Sequence, residues 1–413
     1  MRARNKLFVL GILSATVVVF LTMQLTPGIC AVQELARGSI VDSLTGAVYQ
    51  VFYGQLHSHT QDSDGGRFRE GDVVGGTPRD AYLYARNTAF LDFFSVADHC
   101  SYPYDPDHNP PDPLLDLGLN GEKYYNLKQV ANEFNDPGQF VTFWGFEWTS
   151  DDTSWGGPAT LLGKGHITII NSPDLCEADE PPTNDLNGLV DWMSKPSTDG
   201  SQTSRDCIAF FNHPGQYGYD FDKFLFNYTD KIVGMELWNT DDDYYDNNWY
   251  SNASKGGWNN ALGKGWYIGA SGSQDNHYRD WGTLNEWRMA VLAQEKTRES
   301  IYAAIKARRF YSSRDKNLVL SFTCNGAQMG SRIPGGRLNV EIKASDGDGE
   351  IFSKIWLFKN GQKIKNWNPN STDPTVTTTV NGTKGDYFYV LVEQSGEFKW
   401  AAISSPIFIN KYK

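Results

Sequence analysis

Leu56-His57-Ser58-His59-Thr60, with Asp64 close behind, follows the apolar run Tyr49 to Phe52, and the reading of this stretch decides the fold. A His-X-His pair on a strand turns both rings to one face, because strand side chains alternate with period two. Alone, such a pair reads more often as a polar surface stripe than as a metal site. Position separates the two readings. Asp98-His99 follows Leu91 to Val96, Glu147 closes Phe140 to Phe146, His213 follows Cys207 to Phe211, and Asp275 and His277 follow Trp266 to Ala270. In α/β barrels the C-terminal strand ends converge on one mouth, so residues at these positions are expected to meet in space. With His166, these clusters hold six of the seven histidines. His108 lies in a Pro/Asp-rich loop and reads as a solvated loop residue.

Zinc, manganese and iron take imidazole and carboxylate ligands, and a bridging carboxylate lets two ions share a hydroxide. The sequence therefore predicts a metallohydrolase carrying about two to three divalent ions per chain (Zn, Mn or Fe).

The order of these motifs resembles the polymerase and histidinol phosphatase (PHP) superfamily of metal-dependent phosphoesterases. Its pattern is His-X-His-Thr with a nearby Asp, then Asp-His, a Glu, two separate His and a closing Asp-X-His. Here these read HSHTQDSDG, ADH, Glu147, His166, His213 and DNH. GKGWYIGASGSQDNH, TRESIYAAIKARRFYSS and WAAISSPIFI look closest to the branch that carries a carbaryl-hydrolase-like member. The resemblance runs from about Val51 to Ile409.

It implies a distorted (β/α)7 barrel of PHP type. It also implies one metal on His57, His59, Glu147 and Asp275, a second on Glu147, His166 and His213, and a third on Asp64, His99 and His277. Glu147 would bridge the first two. Asp98 would orient an imidazole or shuttle a proton. Asp64 is less firmly placed than the others, since Asp62 is as near, and Gly65 and Gly66 are expected to let that loop move. A phosphoryl transition state also calls for a cation on its equatorial oxygens. Arg279, two residues past His277, is the candidate, ahead of Arg67 and Arg69; an ion pair with Asp280 or Asp275 is the structural alternative.

Three function classes follow. The first is a phosphoesterase on a small or polymeric phosphate ester. The second is a hydrolase of carboxylic ester or carbamate bonds, since the same hydroxide attacks a carbonyl carbon. The third is a metal-stabilised glycan- or surface-binding module, against which the full ligand set weighs.

The 413 residues exceed one ordinary core and suggest segments 1–31, 32–316 and 317–413. Arg2, Arg4 and Lys6 precede an apolar run from Leu7 to Leu25 that Pro27-Gly28 interrupts, the charge order of a secretory signal or an uncleaved N-terminal anchor. Either predicts a secreted or periplasmic protein, touching a membrane only through that segment. Removing its three positive charges takes the formal charge from -12 to -15. So acidic a surface argues against a nucleic-acid partner. Of five cysteines, Cys100, Cys176, Cys207 and Cys324 show no CxxC spacing, and both a Cys176–Cys207 bridge and free thiols are compatible with it.

Helices are expected at Thr77-Pro78 onward, Glu122 to Phe134, Asn187 to Met193 and Arg298 to Arg308, alternating with strands. From about Leu318 short alternating strands, with turns at Asn360-Gly361 and Asn381-Gly382, predict a small C-terminal β-sandwich. Insertions at Tyr102 to Gly121 and Asp241 to Gly257 are placed to rim the mouth. The thirteen tryptophans read mainly as core. Asp346-Gly347-Asp348-Gly349-Glu350 reads as a hairpin turn rather than a calcium loop.

Overall fold

A computed structural model describes residues 39–66, 75–100, 118–149, 165–178, 181–215, 230–245, 257–395 and 400–409. Residues 1–31, Arg67, Arg69, His108 and most of both insertions lie outside the described residues. The first half runs β1 (Ile40–Val41), β2 (Val48–Gln55), α1 (Pro78–Asn87), β3 (Phe93–Val96), α2 (Gly121–Phe134), β4 (Val141–Thr149), β5 (His166–Ile170), α3 (Leu186–Ser194) and β6 (Ile208–Phe211). It continues with β7 (Ile232–Asn239), β8 (Asp242–Asp243), α4 (Gly257–Lys264), β9 (Gly269–Gly272), β10 (Arg288–Ala293), α5 (Arg298–Lys306) and β11 (Phe310–Ser313).

The expected helices form where their local chemistry places them. Thr77 caps α1 in a reciprocal box with Asp80, and Pro78 supplies the fixed φ of the first turn. Asn120, Asp185 and Thr297 cap α2, α3 and α5 by accepting the backbone N–H groups of Lys123, Gly188 and Ser300. Helix α4 was not expected; it begins at Gly257, where the Asp241 to Gly257 insertion ends.

The strands are buried on both faces. Phe93, Phe143, Phe210, Val233 and Val291 point into one apolar cluster with Ile301, Ala304 and Ile305 of α5. Their neighbours Phe94, Phe211 and Ile232 belong to another, which gathers the apolar faces of α1 to α4. Alternation between two buried faces is the signature of a sheet covered on both sides. Trp148, Trp238, Trp258, Trp266 and Trp281 are fully buried, as the core reading of the tryptophans required.

Strand direction departs from the sequence expectation of parallel pairing. β2–β3, β3–β4, β6–β7 and β7–β9 are parallel, but β4–β5, β5–β6, β2–β10 and β10–β11 are antiparallel. The result is a mixed, curled sheet rather than a fully parallel repeat. Reversal of β5 has a direct consequence for the site. It turns the first residue of that strand, His166, toward the end at which its neighbours finish.

The remaining strands are β12 (Val319–Cys324), β13 (Ala327–Gln328), β14 (Arg332–Ile333), β15 (Gly336–Ser345), β16 (Phe352–Lys359), β17 (Gln362–Trp367), β18 (Thr375–Gly382), β19 (Tyr387–Gln394), β20 (Ala402–Ser404) and β21 (Ile407–Ile409). β13-β12-β15-β18 make a separate sheet of four strands. The others continue the large sheet, because Tyr311–Ser313 of β11 pairs antiparallel with Ala402–Ser404 of β20. Leu320, Phe322, Val340 and Ile342 of the small sheet share one core with Ile355, Leu357, Val390 and Val392, and also with Tyr49, Leu292 and Tyr311 of the first half. Residues 37–413 accordingly form one compact unit, and the expected boundary after residue 316 is crossed by both strand pairing and core.

Asp346 Oδ1 accepts the backbone N–H groups of Asp348, Gly349 and Glu350 at 2.8, 2.7 and 3.0 Å, so the segment is a turn, but it links β15 and β16 of two different sheets and is not the expected hairpin. Burial and a hydrogen bond with Asp346 raise the Asp315 carboxyl to about 7. A raised acid is protonated more readily in the folded chain, so its contribution to stability is present at low pH and is lost as pH rises from about 4 through 7. Asp315→Asn is therefore expected to flatten the pH dependence of the melting temperature across that window. Unchanged dependence in calorimetry would count against this pair. Cys100, Cys176, Cys207 and Cys324 are buried thiols in no disulfide, and burial pushes the Cys207 thiol up to about 12. No described helix is long and apolar enough to cross a membrane.

Candidate metal centre

The segments that leave the strands at one end of the sheet bring nine side chains together. His57 and His59 lie just beyond β2, His99 beyond β3, Glu147 near the end of β4, His166 at the start of β5, His213 beyond β6, and Asp275 and His277 beyond β9. Short backbone links lock these ends to one another. Ser58 bridges Asn276, His99 bridges Glu147, and the Asn212 N–H donates to the His166 carbonyl at 3.0 Å. Four overlapping groups result: His57, His59 and Asp275; His57, Glu147 and His213; His99, Glu147 and His166; and His59, Asp64, His99 and His277. Within each group the ligand atoms lie within 4.8 Å of one another.

Glu147 is fully buried at the centre. Its Oε1 lies 3.2 Å from His57 Nε2, 3.2 Å from His166 Nδ1 and 3.3 Å from His213 Nε2. Its Oε2 lies 2.9 Å from His99 Nδ1 and 3.5 Å from His59 Nε2. Asn212 Nδ2 donates to Oε1 at 2.6 Å and to Thr168 Oγ1 at 2.9 Å, which holds the carboxylate in place. Asp275 Oδ1 lies 2.9 Å from His59 Nε2 and 3.2 Å from His57 Nε2. Asp64 Oδ2 lies 3.2 Å from His277 Nε2, and the rings of His99 and His277 both pack against that of His59, with centroids 4.5 and 4.3 Å from it.

Electrostatics favour a cation here. Burial opposes a charge on His57, yet the fields of Asp275, Glu147 and Glu236 outweigh it and hold the ring well above its usual value. Burial likewise opposes the Glu147 charge, but His57, His99 and His166 keep it well below the usual carboxylate range. The Asp275 carboxyl is depressed in the same way against its burial, by His57 and His277. Burial lowers His59 and His166, helped by like-charged neighbouring rings, which leaves their lone pairs available. His57 Nε2 faces His59 Nε2 at 3.1 Å with two carboxylates beside them. Imidazole nitrogens and carboxylate oxygens gathered this closely are the donor types that zinc, manganese and iron take, so the donor set fits divalent ions of the borderline class.

The backbone is tightened at two of these residues. His213 and Asp275 adopt φ of 23° and 46°, a sparsely populated conformation for residues with a Cβ, and such strain persists where surrounding contacts over-determine it. Close packing also explains Gly65. A Cβ there would fall 2.4 Å from the His59 carbonyl carbon, so this glycine lets the Asp64 loop pack against His59.

Other predicted residues stand apart from the cluster. The oxygens of Asp98 accept the Thr60 N–H and hydroxyl and the Ser63 hydroxyl, each at 2.6 Å. It therefore pins the Thr60–Ser63 loop and reaches His59 only through Ser63 Oγ, 3.4 Å from Nδ1, instead of touching an imidazole itself. Arg279 Nη2 lies 3.9 Å from Asp80 Oδ1 at the head of α1, in neither ion pair suggested by the sequence. Asp64, not Asp62, joins the cluster; the Asp62 carbonyl instead accepts from Lys123 Nζ. Sequence reasoning missed Glu236. It lies inside β7, buried, with Oε1 3.0 Å from His57 Nδ1, and no histidine stands next to it in the chain to mark it.

No protein-family model matches the chain. It is 22% identical to an uncharacterised protein of Chlamydia pneumoniae over 69% of its length, and 20% identical to one of Chlamydia muridarum over 92%. The chain spans only 49% and 60% of these two relatives. Among solved structures it is similar to a two-domain protein from Bacteroides vulgatus containing a predicted PHP-like metal-dependent phosphoesterase. That likeness has 16% identity and a TM-score of 0.44, covering 87% of this chain and 96% of the other.

Proposed function

We propose that the chain is an exported, metal-dependent hydrolase of PHP type, acting as a phosphoesterase. The observation that carries this is the convergence of six imidazoles and three carboxylates, buried Glu147 among them, at one end of the sheet. His57, His59 and Asp275 would hold one ion, His166 and His213 a second with Glu147 shared, and Asp64, His99 and His277 a third. His57 and His59 each stand in two of the four groups, so neighbouring ions would lie close enough to share ligands. When bound, such ions supply a hydroxide of lowered pKa and neutralise oxygens of the ester.

The chain's own residues do the positioning. Glu147, kept ionised by the surrounding rings, would be the carboxylate shared by the two inner ions. Asn212 fixes its Oε1, and Asp98 fixes the loop that carries Ser63 and Asp64. His277, whose side chain is 33% exposed, is more open than Asp64 or Asp275 and so marks the side from which a substrate would approach. Export is proposed from the basic-then-apolar order of residues 1–31 alone.

Elemental analysis of protein produced with zinc, manganese and iron is expected to find about two to three ions per chain; less than one would remove the multinuclear reading. Hydrolysis is to be screened on aryl phosphate mono- and diesters beside aryl acetates and carbamates. Faster turnover of a carbamate or acetate than of any phosphate would replace the phosphoesterase reading with carbonyl chemistry. Within the phosphoesterase reading, Arg279 is proposed as the cation for the equatorial oxygens. Its replacement by Ala should lower phosphate-ester turnover by at least about tenfold, roughly 1.4 kcal/mol, at unchanged metal content. Full activity in that variant would remove Arg279 from the site.

A further inference from the structure

Glu236 is a buried carboxylate with both oxygens committed to the candidate centre. Oε1 lies 3.0 Å from His57 Nδ1, while Oε2 accepts the His213 backbone N–H at 2.9 Å and Asn239 Nδ2 at 2.7 Å. His57 and His213 are two of the three members of one ligand group, with Glu147 the third. Asn239 carries the connection further, since Thr240 Oγ1 donates to Asn239 Oδ1 at 3.0 Å and reaches the Gln274 carbonyl, the residue before Asp275, at 3.3 Å.

We propose that Glu236 is the positioning residue that sets the metal-binding tautomer of His57 and the backbone of His213 together. This rests on the reading of the cluster as a metal centre. A carboxylate at Nδ1 keeps the ring proton on that nitrogen, which leaves the Nε2 lone pair facing Glu147, Asp275 and His59. The second oxygen holds the N–H of a residue at φ 23°, a conformation that would otherwise relax. Both contacts require an acceptor, and only a carboxylate offers acceptors on both arms. A glutamine of the same shape accepts on one arm and donates on the other. If its NH2 faces His57, Nδ1 must accept and the ring proton moves to Nε2, where it blocks a metal. If its NH2 faces His213, two donors oppose each other in a buried site.

The test uses the full chain stripped with a chelator and titrated with zinc against a chromophoric competitor, with bound ions counted by elemental analysis. For Glu236→Gln we expect an unchanged far-ultraviolet circular dichroism spectrum with one ion fewer than the parent, or its weakest site weakened about ten- to a hundredfold. Glu236→Asp, which keeps both acceptors, should recover part of that loss. Parental stoichiometry and affinity in Glu236→Gln would overturn the proposal. A parent that takes up no zinc would instead overturn the metal reading itself, and the proposal with it. Should Glu236→Gln fail to fold, the zinc-loaded parent still decides through the ring-nitrogen NMR signals of His57. Coordination through Nε2 with a proton on Nδ1 is expected, and coordination through Nδ1 would refute the assignment.

Discussion

Glu147→Gln is expected to lower turnover by at least about a thousandfold, some 4 kcal/mol of transition-state stabilisation, and to strip the protein of two ions. The amide keeps the size of the side chain but loses the negative charge that sits among His57, His99, His166 and His213. Two of the four ligand groups contain Glu147, so both lose their only carboxylate at once. Removing the partner of buried, converging rings leaves an uncompensated cluster, and that is more damaging than losing a ligand at the edge. His277→Ala provides the comparison. Its ring is one-third exposed and belongs to a single group, alongside Asp64, His59 and His99. It should therefore cost fewer ions and less activity than Glu147→Gln. Elemental analysis paired with single-turnover kinetics checks the order, and a larger loss in His277→Ala would show that the outer position carries the chemistry.

A chain ending at Lys316 is expected to be insoluble, and the intact protein minus residues 1–31 to unfold in one transition. The truncation removes β20, the pairing partner of Tyr311–Ser313, and leaves an open strand edge. It also uncovers Tyr49, Ala290, Leu292 and Tyr311, which share their core with the strands that follow. Baring a contiguous apolar face of this kind promotes association. Calorimetry of the intact chain and the solubility and zinc uptake of the truncated one are the measurements. Two separate calorimetric transitions, or a soluble truncated chain that holds its metals, would restore a boundary after residue 316.

The local elements were legible because their causes are local. Thr77-Pro78 starts α1 through a cap and a fixed φ, and the Asp346 turn closes on its own following N–H groups. The ligand types were legible as well, since histidines beside carboxylates at the ends of apolar runs are expensive to bury without a cation. What the chain order did not carry was direction and partnership. That His166 begins its strand, rather than ending it, follows from the antiparallel pairing of β5 with β4 and β6, which is settled across segments distant in sequence. Asp98 looked like the partner of an imidazole because it precedes His99, but consecutive residues at a strand end point to opposite sides, and its oxygens meet Thr60 and Ser63 instead. Arg279 likewise turned to Asp80, on a helix nearly two hundred residues earlier. Glu236 illustrates the same limit from the other direction. Within Ile232–Asn239 it is one polar residue in an apolar strand, and only the curling of the sheet, which sets β7 beside the ends of β2 and β6, gives its two oxygens His57 and His213 to hold. Residue types and spacing determined which atoms can bind a metal; tertiary pairing decided which of them face one another, because a lone pair or a proton acts over about 3 Å and the chain brings distant residues that close only by folding.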